Sequence, residues 1–242
     1  MTIELKTLAA AALVAALAGC SSSVDAPGYV NDPYIGVNRE FHAFNKQVDT
    51  YALRPVANAY DIAAPGLVKL LASNALDTLD LPGIVANHVL QGEFLAALRS
   101  AGRLGLNIVV GAGGLLDPAT EFGLPKEDTD FGITLARAGA AEGPYLELPL
   151  LGPATGRDLM GRVGDMVLSP MSWITGLPDA TGPAIGAFNV IEARQSNLSA
   201  IDRVLYESED SYIAVRSFYT QARRRQVAGD VTAASLPDVF AE

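Results

Sequence analysis

The sequence predicts an all-α fold with little or no strand, and three observations carry that reading. Apolar residues recur at i, i+3 and i+7 in most segments, alternation of apolar and polar residues is scarce, and the breaks between segments are made by Gly and Pro. Half of the 242 residues are hydrophobic and 18% are charged, where soluble domains carry roughly 25% charged residues. The excess apolar surface must be buried in protein or turned towards lipid.

The first element is not part of the fold. Lys6 and the α-amino group make a thin positive region, Leu8 to Leu17 is apolar, and Leu17-Ala18-Gly19-Cys20 resembles a lipobox. The apolar stretch is shorter than the ~20 residues a spanning helix needs. Residues 1–19 therefore read as a lipoprotein signal peptide, and Cys20 as the lipidated first residue of the mature chain. Ser21, Ser22 and Ser23 follow. The absence of Asp after the Cys favours the outer membrane over the inner one. Residues 20–30 read as a lipidated tether, 31–228 as one helical domain, and 229–242 as a loose tail. As the only cysteine, Cys20 leaves no intramolecular disulfide and no Cys-based metal site.

The helices follow in order. From Asn38 to Thr50, Phe41, Phe44 and Val48 share one face, with Arg39, Glu40 and Lys46 elsewhere. Tyr51 to Tyr60 continues past Pro55. Leu67 to Ala75 predicts a short apolar helix, and Leu81-Pro82 the opening of another, with Pro in its first turn. In Phe94 to Leu116, Phe94, Leu98 and Ala101 share a face, while Arg99, Arg103 and Asn107 form a polar stripe at i+4. Leu104 to Leu116, LGLNIVVGAGGLL, is too short and glycine-rich to span a bilayer. It suits a buried helix or one lying partly in a membrane, stopped by Asp117-Pro118. Phe131 to Gly139 predicts a short helix, and Tyr145 to Leu151 is the one credible extended segment. Val163 to Leu177 and Thr181 to Ile191 are apolar with small residues, which permit close helix approach. Ser199 to Tyr206 is amphipathic. Ser208 or Asp210 can cap a last helix that Gly229 ends, with Tyr212, Val215 and Tyr219 on one face.

The chemistry is sparse. No Gly-x-Ser-x-Gly elbow, His-Glu-x-x-His or P-loop is present, so no catalysis and no cofactor are expected. Gly111-x-Gly113-Gly114 misses the dinucleotide spacing and reads as close packing. His42 and His88 read as structural, and Asp128 and Asp130 as a solvated loop. The Arg99/Arg103/Asn107 stripe can meet phosphate head groups, but hydrogen bonds to neighbouring loops are the favoured reading. Arg223, Arg224 and Arg225 read as a solvated helix end. Trp173 is either core or an interfacial anchor. The net charge of −10 argues against nucleic acid, which needs a basic footprint.

An ordered set of short motifs adds a family. It comprises Asn31-Asp32-Pro33 with Gly36, Asn38-Arg39, Phe44-Asn45, Leu53 to Ala57 (LRPVA), Leu90-Gln91-Gly92, Arg103 with Asn107, and Gly113-Gly114 with Asp117. It continues with Phe131-Gly132, Thr134-Leu135, Gly143-Pro144-Tyr145 to Leu148-Pro149, Arg157-Asp158, Ser172-Trp173, Glu192 with Arg194, and Asp210 with Tyr212 and Arg216. In this order the chain resembles the MlaA (VacJ) family of outer-membrane lipoproteins. Its loop Lys126 to Asp130 is more acidic than is usual there.

The resemblance implies a ring-shaped bundle of amphipathic helices embedded in one leaflet, beside a trimeric porin. It implies a central channel through which mislocalised phospholipid leaves the outer leaflet for a periplasmic carrier, MlaC. Phe41, Phe44, Asn45, Arg103, Asn107, Gly113, Gly114 and Asp117 are the candidates for channel wall or gate, with ordinary helix packing as the alternative. A porin-associated scaffold without transport is the rival function. A lipid hydrolase is a weaker one, for want of a nucleophile and base.

Overall fold

Helices account for nearly all the regular structure of the computed structural model, which describes residues 30–169 and 181–229. Cys20 and Trp173 lie outside the described residues, as does the end of the Val163 to Leu177 segment. The elements are α1 (Ile35–Val48), α2 (Arg54–Ala63), α3 (Gly66–Leu90), α4 (Phe94–Val109), α5 (Pro118–Glu121) and α6 (Phe131–Arg137). A hairpin of β1 (Tyr145–Leu148) and β2 (Gly152–Thr155) follows, then α7 (Gly156–Leu168), α8 (Thr181–Ser196), α9 (Leu198–Asp202) and α10 (Ser211–Ala228). Among the described residues no helix is long and apolar enough to cross a membrane.

Local chemistry sets most boundaries. Asp117, Asp130, Thr155 and Asp210 each accept a backbone N–H at the start of α5, α6, α7 and α10. Gly229 closes α10 in the left-handed conformation, φ 76°. Between α1 and α2 the chain stays helical through a wider π turn, Asp49–Leu53. Pro55 has no N–H to give the carbonyl four residues back, and the wider turn carries the helix across that gap. A second π turn, Arg203–Glu207, joins α9 to the loop before α10.

Three sequence expectations fail here. The helix expected to run through Leu104 to Leu116 ends at Val109, and residues 110–116 form a glycine-rich turn. Leu67 to Ala75 and the segment opened by Leu81-Pro82 are one helix, α3, with Pro82 in its interior. An interior Pro costs roughly 3 kcal/mol. Leu76, Leu81 and Ile84 nonetheless form one buried row with Asn87 and His88, against α4 and α7, and packing overrides the local preference. The extended segment ends at Leu148 and pairs with Gly152 to Thr155, Tyr145 opposite Thr155 and Leu148 opposite Gly152. Gly-Pro is a poor strand opening, so β2 carried no signal.

The packing is inverted relative to a water-soluble bundle. Among the described residues fifteen polar or charged side chains are buried against ten apolar ones, so polar bonding, rather than an oily core, fills much of the interior. On α1 the buried residues are Asn38 and His42, while Phe41 and Phe44 are exposed. On α4, Ser100, Arg103 and Asn107 point inwards and Phe94, Leu95, Leu98, Ile108 and Val109 outwards. The apolar stripe that normally marks a helix's core face is here its outer face. Exposed apolar area of this extent marks contact with a membrane or another protein.

The two ends of the domain meet. Asp32 accepts from Arg216 at 2.7 Å and from the Tyr212 hydroxyl, and Arg39 pairs with Asp210 at 2.7 Å. Strand β1 lies against α1, and Tyr145 N donates to Asn31 O at 2.7 Å.

Candidate functional site

One face of α1 carries Asn38, His42 and Asn45 at helical spacing, Asp49 continues it into the π turn, and each side chain reaches another element. Asn38 Nδ2 donates to Asp32 Oδ1 (2.8 Å) and to the Tyr145 carbonyl (3.1 Å), and its Oδ1 accepts from Glu147 N (3.0 Å). Asn45 treats the hairpin tip the same way. Its Nδ2 donates to Leu148 O at 2.9 Å, and its Oδ1 accepts from Leu150 N at 2.8 Å. Leu150 sits at φ +65°, a conformation a branched side chain adopts only when its surroundings hold it there. From the other side, Arg162 donates to the carbonyls of Leu151 (3.2 Å) and Pro153 (2.8 Å). The tip is thus clamped between α1 and α7, while Leu150 and Leu151 remain exposed. Of the predicted residues here, Asn45 is the clamp, and Phe41 and Phe44 belong to the outer apolar face.

The second group forms where α4 ends. Arg103 is buried and donates to Asp117 Oδ2 (2.9 Å), Thr120 Oγ1 (3.2 Å) and the Leu124 carbonyl. Asn107 Oδ1 accepts from Ala119 N at 3.3 Å. Burial works against the Asp117 anion, but hydrogen bonds from Thr120 and Arg103 outweigh it and hold the carboxyl below its ordinary value. The glycines close the turn. A Cβ on Gly111 would strike the backbone carbonyls of Asn107 and Leu116, and one on Gly114, at φ +96°, would lie 2.7 Å from Thr78 Cγ2. Gly113 has φ +77° and open space around it. Arg103, Asn107, Gly114 and Asp117 therefore make one clamp, bonded to loops as the favoured reading expects. Arg99 parts from the stripe to pair with Glu127 near the surface. No hydrogen bond or ion pair joins this clamp to the α1–hairpin clamp among the described residues.

Three buried charge networks were not foreseen. Arg194 donates to both oxygens of Asp49 (2.8 and 3.1 Å) and to Asp202, which Arg54 also reaches at 2.7 Å. Asp32 gathers Asn38, Tyr212 and Arg216. Arg223 bridges Asp130 (2.6 and 2.7 Å) and Asp158 (2.8 Å), and Tyr219 donates to Asp158 at 2.6 Å. Burial opposes the Asp158 anion, yet Arg223 and two hydroxyl donors hold its carboxyl below the usual range. Two expectations are corrected: Arg223 and Arg224 are no solvated helix end, Arg224 pairing with Glu142 at 2.8 Å, and Asp130 is a helix cap in an ion pair. The missed signal was the polar spacing on α1 opposite Phe41 and Phe44. His42 and His88 are buried and bonded, to Ser211 at 3.0 Å and Glu93 at 2.9 Å. Among the described residues no group of three or more His, Cys, Asp or Glu is placed to share a metal.

Comparison with known proteins matches this architecture. A family model described as MlaA lipoprotein covers residues 30–226. An uncharacterized protein of Rickettsia felis is 36% identical over 199 residues, 82% of this chain and 78% of the relative. The intermembrane phospholipid transport system lipoprotein MlaA of Escherichia coli K12 is 35% identical over 209 residues, 85% of this chain and 82% of the relative. A solved structure described as the structural basis for maintenance of bacterial outer membrane lipid asymmetry superimposes with a TM-score of 0.72 at 32% identity. That match spans 81% of this chain and 98% of the other. With a family model over most of its length and relatives above 30% identity, the chain belongs to the MlaA lipoprotein family.

Proposed function

We propose that this chain is an outer-membrane lipoprotein, anchored on the periplasmic side through Cys20, that removes mislocalised phospholipid from the outer leaflet. The observation that carries this reading is the inversion of the fold: charged and amide side chains inside, Phe, Leu, Ile and Val outside. Described helices of which none is both long and apolar enough to cross a bilayer, yet which are apolar on their outer faces, suit a protein sunk in one leaflet. A ring of such helices offers a lipid head group a polar route through hydrocarbon, where an unsatisfied polar group costs several kcal/mol.

In this reading the hairpin tip, clamped by Asn45, and the turn Gly111 to Asp117, clamped by Arg103, are the wall and gate elements. Phe41 and Phe44 face the acyl chains. A trimeric porin holds the protein in place, and a periplasmic carrier, MlaC, takes the lipid onwards. No bond is made or broken, and phospholipid incubated with the purified protein stays intact. The relatives' transport role and the matched structure's connection to lipid asymmetry support this assignment.

The test is the phospholipid content of the outer leaflet in a strain lacking the gene. An increase, with sensitivity to detergent plus chelator, is expected. An unchanged outer leaflet would overturn transport and leave a porin-associated scaffold as the better account.

A further inference from the structure

Helix α7 presents two charges, Arg162 and Asp165, that enter no ion pair among the described residues. Arg162 spends its hydrogen bonds on the carbonyls of Leu151 and Pro153 and enters no ion pair. Asp165 Oδ1 accepts from the Asn87 amide and the Phe131 N–H, both at 2.9 Å, while its Oδ2 accepts from no protein donor. The two residues are three apart on one helix and share a face. Both line a cleft of about 150 Å³ with Asp130, Asp158, Tyr219 and Arg223. The last four satisfy one another, Arg223 between the two aspartates and Tyr219 on Asp158. The cleft therefore offers one unpaired cation and one unpaired anion, in a lining where carboxylates outnumber guanidiniums.

Val163, Met166 and Val167 stand exposed on the same helix beside these charges. A ligand that satisfies both surfaces has a zwitterionic head and apolar chains. Building on the transport reading above, we propose that this cleft holds the head group of an ethanolamine phospholipid, its phosphate on Arg162 and its ammonium on Asp165. A primary ammonium brings three N–H donors to the open Oδ2; a quaternary choline brings none. An anionic glycerol head group would meet the excess of carboxylates.

The volume is about ten times what a single water needs and below the ~300–1,000 Å³ of pockets that engulf whole ligands. It suits a head group whose chains run outside, along Val163 and Met166. Burial and the charge of Asp130 push the Asp165 carboxyl up, and a bound ammonium would offset that strain on its anion.

The test uses full-length protein in detergent micelles and measures binding of dihexanoyl phosphatidylethanolamine, dihexanoyl phosphatidylglycerol and free phosphoethanolamine. The ethanolamine lipid is expected to bind about tenfold tighter than the glycerol lipid. Asp165→Asn, which keeps the Oδ1 acceptor for Asn87 and Phe131, should erase that preference. Arg162→Gln should weaken both lipids, and Arg162→Lys should restore part of the loss, with circular dichroism confirming that each variant folds. Equal affinity of the wild type for both lipids, or an unchanged preference in Asp165→Asn, would overturn the proposal. Free phosphoethanolamine binding as tightly as the lipid would replace the lipid with a soluble amino phosphate. Lost selectivity with outer-leaflet phospholipid still controlled removes only the head-group cleft, whereas retained selectivity with no effect of gene deletion on that leaflet removes only the transport reading.

Discussion

Replacing Arg194 by Met should destabilise the protein by about 3–5 kcal/mol, the range for breaking one side of a buried ion pair. The structure says why the loss falls on Asp49. The Arg194 side chain is 2% exposed and that of Asp49 8%. Without Arg194, Asp49 keeps one donor, the Tyr206 hydroxyl at 2.7 Å, and is left a buried carboxylate with no counter-charge. Asp202 fares better, since it is 20% exposed and retains Arg54 at 2.7 Å, a partly exposed pair of the sort that contributes at most about 1 kcal/mol. Denaturant titration of detergent-purified protein, followed by far-UV circular dichroism, reads the change in midpoint. The double variant Asp49→Asn/Arg194→Met should lose less than the sum of the single losses, with a coupling of about 0.5–3 kcal/mol. A single-variant loss below about 1 kcal/mol, or strictly additive losses, would refute the claim that buried charge pairing holds this interior together.

Other outcomes follow from the same geometry. Gly114→Leu combines a left-handed φ with a collision on Thr78 and should cost about 2–4 kcal/mol. If the turn lines the passage, it should also raise outer-leaflet phospholipid without loss of protein; Gly113→Leu, in open space, should be milder in stability. Stability should hold or rise slightly from pH 7 to 5, because Asp165 and Asp80 have raised carboxyls and their burden is relieved on protonation. It should then fall below about pH 4, the ordinary Asp range, as Asp117, Asp158 and Asp202, held low in the folded state, take up protons. A steady loss beginning at pH 7 would contradict this. Cys20→Ala should leave the precursor uncleaved after Gly19 and unacylated, and normal acyl labelling of that variant would exclude the anchor.

Much of the helical framework was legible because its signals are local. Asp210 and Gly229 bracket α10, and the run from Phe131 gives α6, but Asp130 as its cap and the short α5 after Asp117 were hidden in what reads as a polar loop. Helix orientation was less legible. The periodicity of Phe41, Phe44 and Val48 is the same whether that face meets a core or lipid, and only the partners of Asn38, His42, Asn45 and Asp49 decide. Apart from Asp32 beside Asn38, those partners lie more than a hundred residues away, in the hairpin and in α8 to α10, and spacing within one helix cannot name them. Arg103 and Asn107 were singled out, and their reach to loops anticipated, because both stand on an otherwise apolar helix. Arg223 was misread because an arginine run in a last turn suits the helix dipole with or without a buried aspartate waiting. Pro82 shows the opposite limit: a strong local breaker overruled by a continuous packed face.

The proposed place in one leaflet requires apolar side chains that face lipid, and Val109, 81% exposed at the end of α4, reports on that most directly. A fluorophore attached at Val109→Cys in the acylated protein, reconstituted into bilayers containing bromine-labelled lipid, should be strongly quenched. The same fluorophore at Glu121→Cys, on the exposed polar side of α5, should be far less so. Equal, weak quenching at both positions, with full access to a charged thiol reagent at Val109→Cys, would contradict the placement of this fold in a leaflet.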